Sequence, residues 1–161
     1  MNEEELKVNK QLSSYAVQDL NVNPNLSSYD NESFDFITCV VSIDYLIQPQ
    51  IIFQEIYRLL RPGGSFVISF SNRMFATKAI NIWLQTDDIG RLTLIGSFFH
   101  YTANWSIVEA YDLRPKVQTP ARPSPTELIT NPSLGMAWMN SVTAINKLNS
   151  GDPMYLVRGM K

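Results

Sequence analysis

The sequence predicts an α/β fold with parallel strands covered by helices, and three observations lead to this prediction. An amphipathic helix pattern runs over residues 49–60, a Gly-Gly pair follows it at Gly63 and Gly64, and apolar strand-like segments lie on either side, at 34–41 and 65–70. Strand, helix, tight turn and strand in this order are typical of a βαβ unit. Continuous apolar strands are typical of a parallel sheet that is buried on both faces.

The helix over 49–60 is predicted from apolar residues at the spacing of one helix face, namely Ile52, Phe53, Ile56, Leu59 and Leu60. Pro49 suits the first helical turn, where its missing N–H leaves no hydrogen bond unmade. Pro62 disfavours the α conformation at Arg61, so we expect the helix to end there. Gly63 and Gly64 then allow a sharp reversal into the next strand.

The remaining elements are shorter and are predicted from local patterns. We expect a brief strand at 15–17, a polar loop at 21–33, helices at 75–84 and 89–99, and late strands at 106–111 and 154–157.

The segment 115–150 differs from the rest of the chain. Five of the nine prolines lie between Pro115 and Pro132, among Ser and Thr residues. Such a composition is typical of an extended or poorly ordered segment, although residues 134–148 carry a weak amphipathic helix pattern. We therefore expect a Pro/Ser/Thr-rich insertion at 115–150, within a domain formed by residues 1–114 and 151–161.

Length and charge restrict the function classes. The chain has 161 residues, enough for one domain, and 13 basic against 15 acidic residues give a net charge of −2. No basic cluster is present, so we expect neither nucleic-acid nor anionic-membrane binding. The acidic start, Glu3 to Glu5, is neither a secretory signal nor a transit peptide. We expect a cytoplasmic protein, while a targeting segment upstream of Met1 stays open.

Two single-copy residues each allow two interpretations. Cys39, the one cysteine, is either a reactive thiol or a small core residue. His100, the one histidine, is either a general base or the polar tip of an aromatic cluster. One histidine and one cysteine cannot form a closed metal shell, so no metal site is expected.

Several short motifs follow one another in the order seen in type-11-like class I S-adenosylmethionine (SAM) dependent methyltransferases, which the chain resembles. The motifs are Asp19-Leu20, residues 30–35, Glu55 with Arg58, and Leu59 to Gly64. The likeness is closest to a plant-like group that also has counterparts of residues 69–73, Ala79-Ile80, Trp83, residues 99–101 and residues 152–155. It covers residues 1–114 and 151–158, and its specificity comes from the common order of motifs that are individually short.

The resemblance implies a Rossmann-like sheet of strand order 3-2-1-4-5-7-6, with SAM at the carboxyl ends of the strands. In the family, the position of Asp19 accepts a hydrogen bond from the adenine amino group, and the N–H at the position of Leu20 meets an adenine ring nitrogen. An ordinary turn-forming role for Asp19 is the alternative.

By the same resemblance, Val41 and Ser42 border the methionine part of SAM. Tyr45, Asn72 and His100 face the methyl acceptor, which we expect to be a small molecule of unknown identity.

The sequence departs from the family at its start. It has no G-x-G-x-G loop, and counted in the family order it begins at the helix after the second strand. We therefore expect the C-terminal portion of the class I sheet, lacking the first two strands. Residues 15–17 would then have no neighbouring strand, and residues 37–41 would form an open apolar edge.

Two functions remain open at this point. The first is SAM-dependent methyl transfer, although we expect the chain alone to bind SAM poorly. The alternative is a catalytically inactive, truncated methyltransferase-like protein that serves as a binding or regulatory subunit of a full-length methyltransferase relative. An incomplete gene model is a third explanation, which the genomic sequence upstream of Met1 tests.

Overall fold

A computed structural model describes residues 3–114, 117–149 and 151–161. The helices and strands are α1 (Glu3–Val8), β1 (Phe34–Val40), α2 (Pro49–Leu59), β2 (Leu60–Ser71), α3 (Asn81–Leu84), α4 (Asp88–Thr102), β3 (Ile107–Asp112), α5 (Pro125–Thr130), α6 (Ser133–Asn149) and β4 (Met154–Met160). A 3-10 turn, Ile43–Tyr45, follows β1. The predicted α/β class is confirmed.

The four strands of the described residues form one sheet in the order β1-β2-β4-β3. Strand β1 pairs with β2 in parallel, as predicted, whereas β4 runs antiparallel to both of its neighbours, which the sequence did not predict. If β1 to β4 are counted as the fourth to seventh strands, the observed order is the 4-5-7-6 part of the order that the resemblance implies.

The core lies between one face of the sheet and the helices α2 and α4. Phe53 of α2 packs its ring against Phe66 of β2 and Phe99 of α4, at centroid distances of 5.2 and 5.0 Å. All three side chains are at most 1% exposed. Truncating a buried phenylalanine to alanine costs about 3–5 kcal/mol, so these contacts fix how α2 and α4 sit on the sheet.

The two glycines in the first part of β2, which follows α2 directly, have different roles. Gly63 has a φ of 81°, which a side chain would disfavour. Gly64 has no such φ, but a Cβ there would lie 2.9 Å from the Arg61 carbonyl oxygen and 3.0 Å from that of Asp35. The turn therefore needs one glycine for its backbone conformation and the other because β1 passes so close.

Two predicted elements are wrong. Residues 15–17 form no strand, and Tyr15 and Val17 stay 43% and 45% exposed because no strand of the described chain lies beside them. The helix predicted over 75–84 is reduced to α3, because the Ile80 N–H donates to the carbonyl oxygen of Asp44 at 2.9 Å. That bond holds Ile80 in an extended conformation, so the helix begins only at Asn81.

The segment after β3 contains two helices. Helix α6 covers the stretch where the sequence predicted one, and α5 was not predicted. Ser124 and Glu127 form a capping box at the start of α5, a signal that the proline-rich composition concealed. The limits of the insertion and its poor order stay predictions, and residues 115, 116 and 150 lie outside the described ranges. Among the described helices, none is long and apolar enough to cross a lipid bilayer.

Candidate functional site

A cleft of about 480 Å³ lies at the carboxyl end of β1. It brings together four of the predicted site residues, Asp19, Leu20, Ser42 and Tyr45. Its other lining residues, which the sequence did not single out, are Gln18, Asn21, Leu46 and Lys78. The cleft thus joins the loop before β1 to the 3-10 turn after β1, at the edge of the sheet where the fold class places its ligands.

Asn21 fastens the loop to the turn with three hydrogen bonds. Its side-chain N–H donates to the Tyr45 carbonyl oxygen at 2.9 Å, and its side-chain oxygen accepts from the Ile47 N–H at 3.0 Å. The Gln48 side chain donates to the Asn21 carbonyl oxygen at 3.1 Å. Asn21 therefore sets the distance between the two walls of the cleft, a role that its place in a polar run did not reveal.

Asp19 acts as a turn former with only one of its carboxylate oxygens. Its Oδ1 accepts from the Asn21 N–H at 2.9 Å, and its carbonyl oxygen accepts from Val22 and Asn23. Within the described chain, neither Asp19 Oδ2 nor the Leu20 N–H has a hydrogen-bond partner. The turn role and the ligand role are thus compatible, because the turn leaves one acceptor and one adjacent donor free in the cleft wall.

The backbone is strained where β1 ends. Val41 has a φ of 48°, in the left-handed region that β-branched residues rarely occupy. Such strain concentrates at functional sites because the surrounding structure has to maintain it. It turns the chain so that Ser42 lines the cleft, whereas Val41 lies beside the cleft without lining it.

Tyr45 fixes the wall of the cleft that lies opposite the Asp19 loop. Its hydroxyl accepts from the Phe75 N–H at 3.0 Å, and its ring lies 6.5 Å from the Phe75 ring. The Lys78 ammonium lies 5.7 Å from the centre of the Phe75 ring. Lys78 therefore gives this wall a positive charge, which forms no ion pair with a carboxylate of the described residues.

Asn72 and His100 are not brought into the cleft. Asn72 is exposed just after the end of β2 and does not line the cleft. His100 lies in α4 and lines a separate depression of about 430 Å³ with Trp105 and Val108, at the amino end of β3. Because β3 runs parallel to β1, the amino end of β3 and the carboxyl end of β1 lie on opposite sides of the sheet. The depression is therefore on the side opposite the cleft.

Two groups beside the cleft, the buried Asp44 and the half-buried Cys39, have shifted pKa values. Asp44, in the 3-10 turn, is 4% exposed, and its Oδ2 has no hydrogen-bond partner among the described residues. Burial raises the pKa of Asp44, and hydrogen bonding to its carboxylate and the Arg91 charge oppose this only in part. Burial also raises the pKa of the Cys39 thiol, whose sulfur lies 3.4 Å from the Ser42 hydroxyl. A raised thiol pKa favours the core interpretation of Cys39 over the reactive one.

In the described part of the chain, no three His, Cys, Asp or Glu side chains are grouped closely enough to hold a metal ion.

Comparison with known proteins gives a family match over part of the chain. Residues 2–68 match the family profile of the methyltransferase domain, a range that contains the loop, β1 and the 3-10 turn that build the cleft. No curated protein matches the chain significantly in sequence.

One of three similar solved structures superposes well enough to show the same fold. A SAM-dependent methyltransferase from Archaeoglobus fulgidus superposes with a TM-score of 0.58 at 15% identity, over 99% of this chain and 73% of that protein. Phosphoethanolamine N-methyltransferase 2 of Haemonchus contortus gives 0.43 at 13% identity, over 83% of this chain and 35% of that enzyme. A methyltransferase solved with the Haloferax volcanii Trm112 activator gives 0.44 at 19% identity, over 91% of this chain and 61% of its own.

The chain thus spans about a third of the length of the Haemonchus enzyme. The family match is confined to residues 2–68, while the strand order and the fold shared with the Archaeoglobus protein show that the chain has the Rossmann-like fold of class I SAM-dependent methyltransferases.

Proposed function

We propose that the chain takes part in SAM-dependent methyl transfer to a small-molecule acceptor, and that its cleft holds the adenine end of SAM. One observation carries the proposal: Asp19 Oδ2 and the Leu20 N–H are a free acceptor and donor on adjacent residues in the cleft wall. The edge of adenine presents an amino donor beside a ring-nitrogen acceptor, which is the complementary pair.

The bound cofactor would supply a methyl group on a sulfonium, which needs alignment with the acceptor more than covalent help. Holding two reactants in line is worth about 7–11 kcal/mol of the barrier. In this proposal the hydrogen bonds of Asn21 fix the distance between the two walls of the cleft. Ser42 borders the methionine end of SAM, and Tyr45 and Lys78 border the methyl acceptor.

The proposal predicts weak and incomplete recognition of SAM by this chain. No G-x-G-x-G loop is present in the sequence to approach the rest of the cofactor. We therefore expect adenosine and SAM to bind with affinities within about threefold of each other, because both present the same adenine to Asp19 and Leu20.

Titration of the 161-residue chain with adenosine and with SAM, followed by amide chemical shifts, tests this expectation. The informative variant is Asp19→Asn, because its side-chain oxygen still accepts from the Asn21 N–H while an NH₂ group replaces the free acceptor. We expect it to weaken adenosine binding about tenfold, the usual cost of a lost charged hydrogen bond. Asp30→Asn, an exposed aspartate in the same loop region, is the matched control and leaves the affinity unchanged.

Two results count against the proposal. If Asp19→Asn and Asp30→Asn bind adenosine equally well, Asp19 is only a turn former. If SAM binds at micromolar concentration with one molecule per chain, the chain contacts the whole cofactor, and the prediction of poor SAM binding is wrong.

A binding or regulatory subunit is the second candidate function, and the exposed edge of β1 favours it. Phe36 and Val40 on this strand are 73% and 65% exposed, and an open strand edge is a surface for adding a strand from another protein. In this candidate the partner is a full-length methyltransferase relative. The test is to measure the activity of such an enzyme before and after adding the chain, together with its capture by the immobilised chain.

A further inference from the structure

The backbone of β1 has a free row of hydrogen-bonding groups whose positions follow from its pairing with β2. The Ser33 N–H donates to the Leu59 carbonyl oxygen, and the Val41 N–H donates to that of Ser69. The backbone N–H and C=O groups of successive strand residues point to opposite sides of the strand. Those of the odd-numbered residues of β1 therefore point towards β2, and those of the even-numbered residues point outward, away from β2. The outward residues are Phe34, Phe36, Thr38 and Val40.

These outward residues are spaced symmetrically about Ile37. If a second copy of β1 lies antiparallel with a two-fold axis at Ile37, Phe36 stands opposite Thr38 of the copy, and Phe34 stands opposite Val40. Each opposed pair can exchange both of its backbone hydrogen bonds, so the whole free row is satisfied.

The side chains agree with this register. Phe36 and Val40 are the most exposed apolar side chains of β1, at 73% and 65%, and the pairing sets them beside apolar or small partners on one face of the sheet. The single charge on the strand, Asp35, stands opposite Cys39 and is already paired with Arg61 of its own chain at 2.7 Å. No like charges therefore meet across the axis.

The other edge of the sheet is protected. Strand β3 carries Glu109 and Asp112 along its six residues. Two copies of this strand would bring acidic side chains near each other, and charges on an edge strand are the usual obstacle to edge pairing. Both acids of β3 are paired within the chain, Glu109 with Arg158 and Asp112 with Arg114, and β3 exposes Ile107 and Val108 at 46% and 43%. Of the two edges, β1 therefore has the more exposed apolar side chains and one acid instead of two.

We propose that the chain self-associates through β1 into a two-fold dimer with one continuous eight-stranded sheet, centred on Ile37. This inference rests on the open edge of β1 and is independent of methyl transfer. Pairing over seven residues makes a small interface, so the dimer is of the weak, concentration-dependent kind.

Light scattering after size exclusion, from about 5 to about 200 μM chain, is the first measurement, a range suited to a small interface. We expect the mass to rise from monomer to dimer and then to stop. Phe36→Lys places a charge at the centre of the proposed interface without disturbing a buried contact, and it should weaken dimerisation at least about tenfold. Ile107→Lys, an exposed apolar residue on the opposite edge, is the matched control and leaves the dimer intact.

Amide hydrogen exchange supplies a readout at single residues. In the monomer, only the odd-numbered amides of β1 are protected, whereas in the dimer Phe36, Thr38 and Val40 gain protection as well. Phe36→Lys should restore the alternating pattern at the same concentration, with circular dichroism showing that the variant is folded.

Four outcomes overturn the proposal: a monomer throughout the range, a dimer insensitive to Phe36→Lys, unprotected even-numbered amides in the dimer, and growth beyond two copies. A chain that stays monomeric but captures a methyltransferase relative through β1 also overturns it, and assigns this edge to a heterologous partner.

Discussion

Two carboxyl groups, Asp44 before α2 and Glu55 within it, lie in opposite environments, and their effects on stability should depend on pH in opposite directions. Asp44 is buried with an unpartnered oxygen, so folding raises its pKa. Glu55 accepts two hydrogen bonds from the Arg58 guanidinium and one from the Leu26 N–H, so folding lowers its pKa. A raised acid pKa opposes folding at neutral pH, and a lowered one supports it.

Asp44→Asn should therefore stabilise the chain at pH 8, where the native carboxylate is charged and buried. The gain should shrink as the pH falls from the raised pKa of folded Asp44 towards its ordinary value, because the wild-type group then takes up a proton. Thermal melts of the two proteins between pH 8 and pH 4 measure this. A Tm difference that does not change with pH means that packing, and not charge burial, separates them.

Glu55→Gln should have the opposite effect, because the Glu55–Arg58 pair holds the loop 26–31 that precedes β1. Arg58 also donates to the carbonyl oxygens of Leu26 and Tyr29, at 3.1 and 3.0 Å. We expect a lower Tm at pH 7 and convergence with the wild type as the pH falls through the depressed pKa of folded Glu55. Glu4→Gln, which removes an exposed ion pair of α1, is the control and should change stability by less than about 0.5 kcal/mol. An equal loss in both variants contradicts the loop-holding role.

At the scale of elements, close packing between β4 and α4 depends on a residue without a side chain. Gly159 of β4 lies opposite Phe66, and a Cβ there would overlap the ring of Phe99. Phe99 is fully buried and ringed by other aromatic side chains, so it has no room to move aside.

Gly159→Ala should therefore cost about 1–3 kcal/mol or more, the range for overpacking a filled core. Gly96→Ala is the matched comparison, because it lies in the middle of α4 and a Cβ there meets no atom within 4 Å. That variant should gain up to about 1 kcal/mol from the higher helix propensity of alanine. Urea denaturation of both variants gives the two values, and equal signs would contradict the packing of α4 on β4.

Helices and turns whose patterns depend on neighbouring residues were predicted correctly. A contact between residues distant in sequence made one helix prediction wrong. The 3.6-residue period of α2 and the glycine pair after it depend on neighbours along the chain, and both predictions were confirmed. The predicted helix at 75–84 failed because Ile80 bonds to Asp44, a residue 36 positions earlier. No local pattern encodes such a bond.

At the scale of the whole molecule, the predicted insertion separates two strands that already form a hairpin. The Leu113 N–H donates to the Met154 carbonyl oxygen at 2.8 Å, and Asp112 pairs with Tyr155. Deleting residues 115–150 leaves four residues between Leu113 and Met154, a normal length for a hairpin loop.

We expect this deletion variant to fold, and to gain up to about 2 kcal/mol because a shorter loop loses less entropy on closure. Circular dichroism melts measure the change. A variant in which a Gly-Ser linker of equal length replaces 115–150 separates loop length from lost contacts, and it should match the wild type. If both variants unfold, the segment belongs to the core and the predicted domain limits are wrong.

The cleft was predictable in part. Asp19, Leu20, Ser42 and Tyr45 were selected through motifs that resemble the family, and the structure places all four in one cleft. Asn21 and Lys78 were missed, because an asparagine that bridges two loops and a lysine carried into place by a turn have no signature of their own. His100 was selected through the same resemblance and for its chemistry as a possible base, and the fold puts it on the side of the sheet opposite the cleft.

The sequence by itself determined the α/β class and the α2–β2 crossing, because hydrophobic period and glycine conformation act over a few residues. The tertiary structure alone decided that β4 runs antiparallel between β2 and β3, that the loop at Asp19 closes against the turn at Tyr45, and that His100 lies elsewhere. These features depend on hydrogen bonds and packing between segments that are distant in sequence, and such contacts form only in the folded chain.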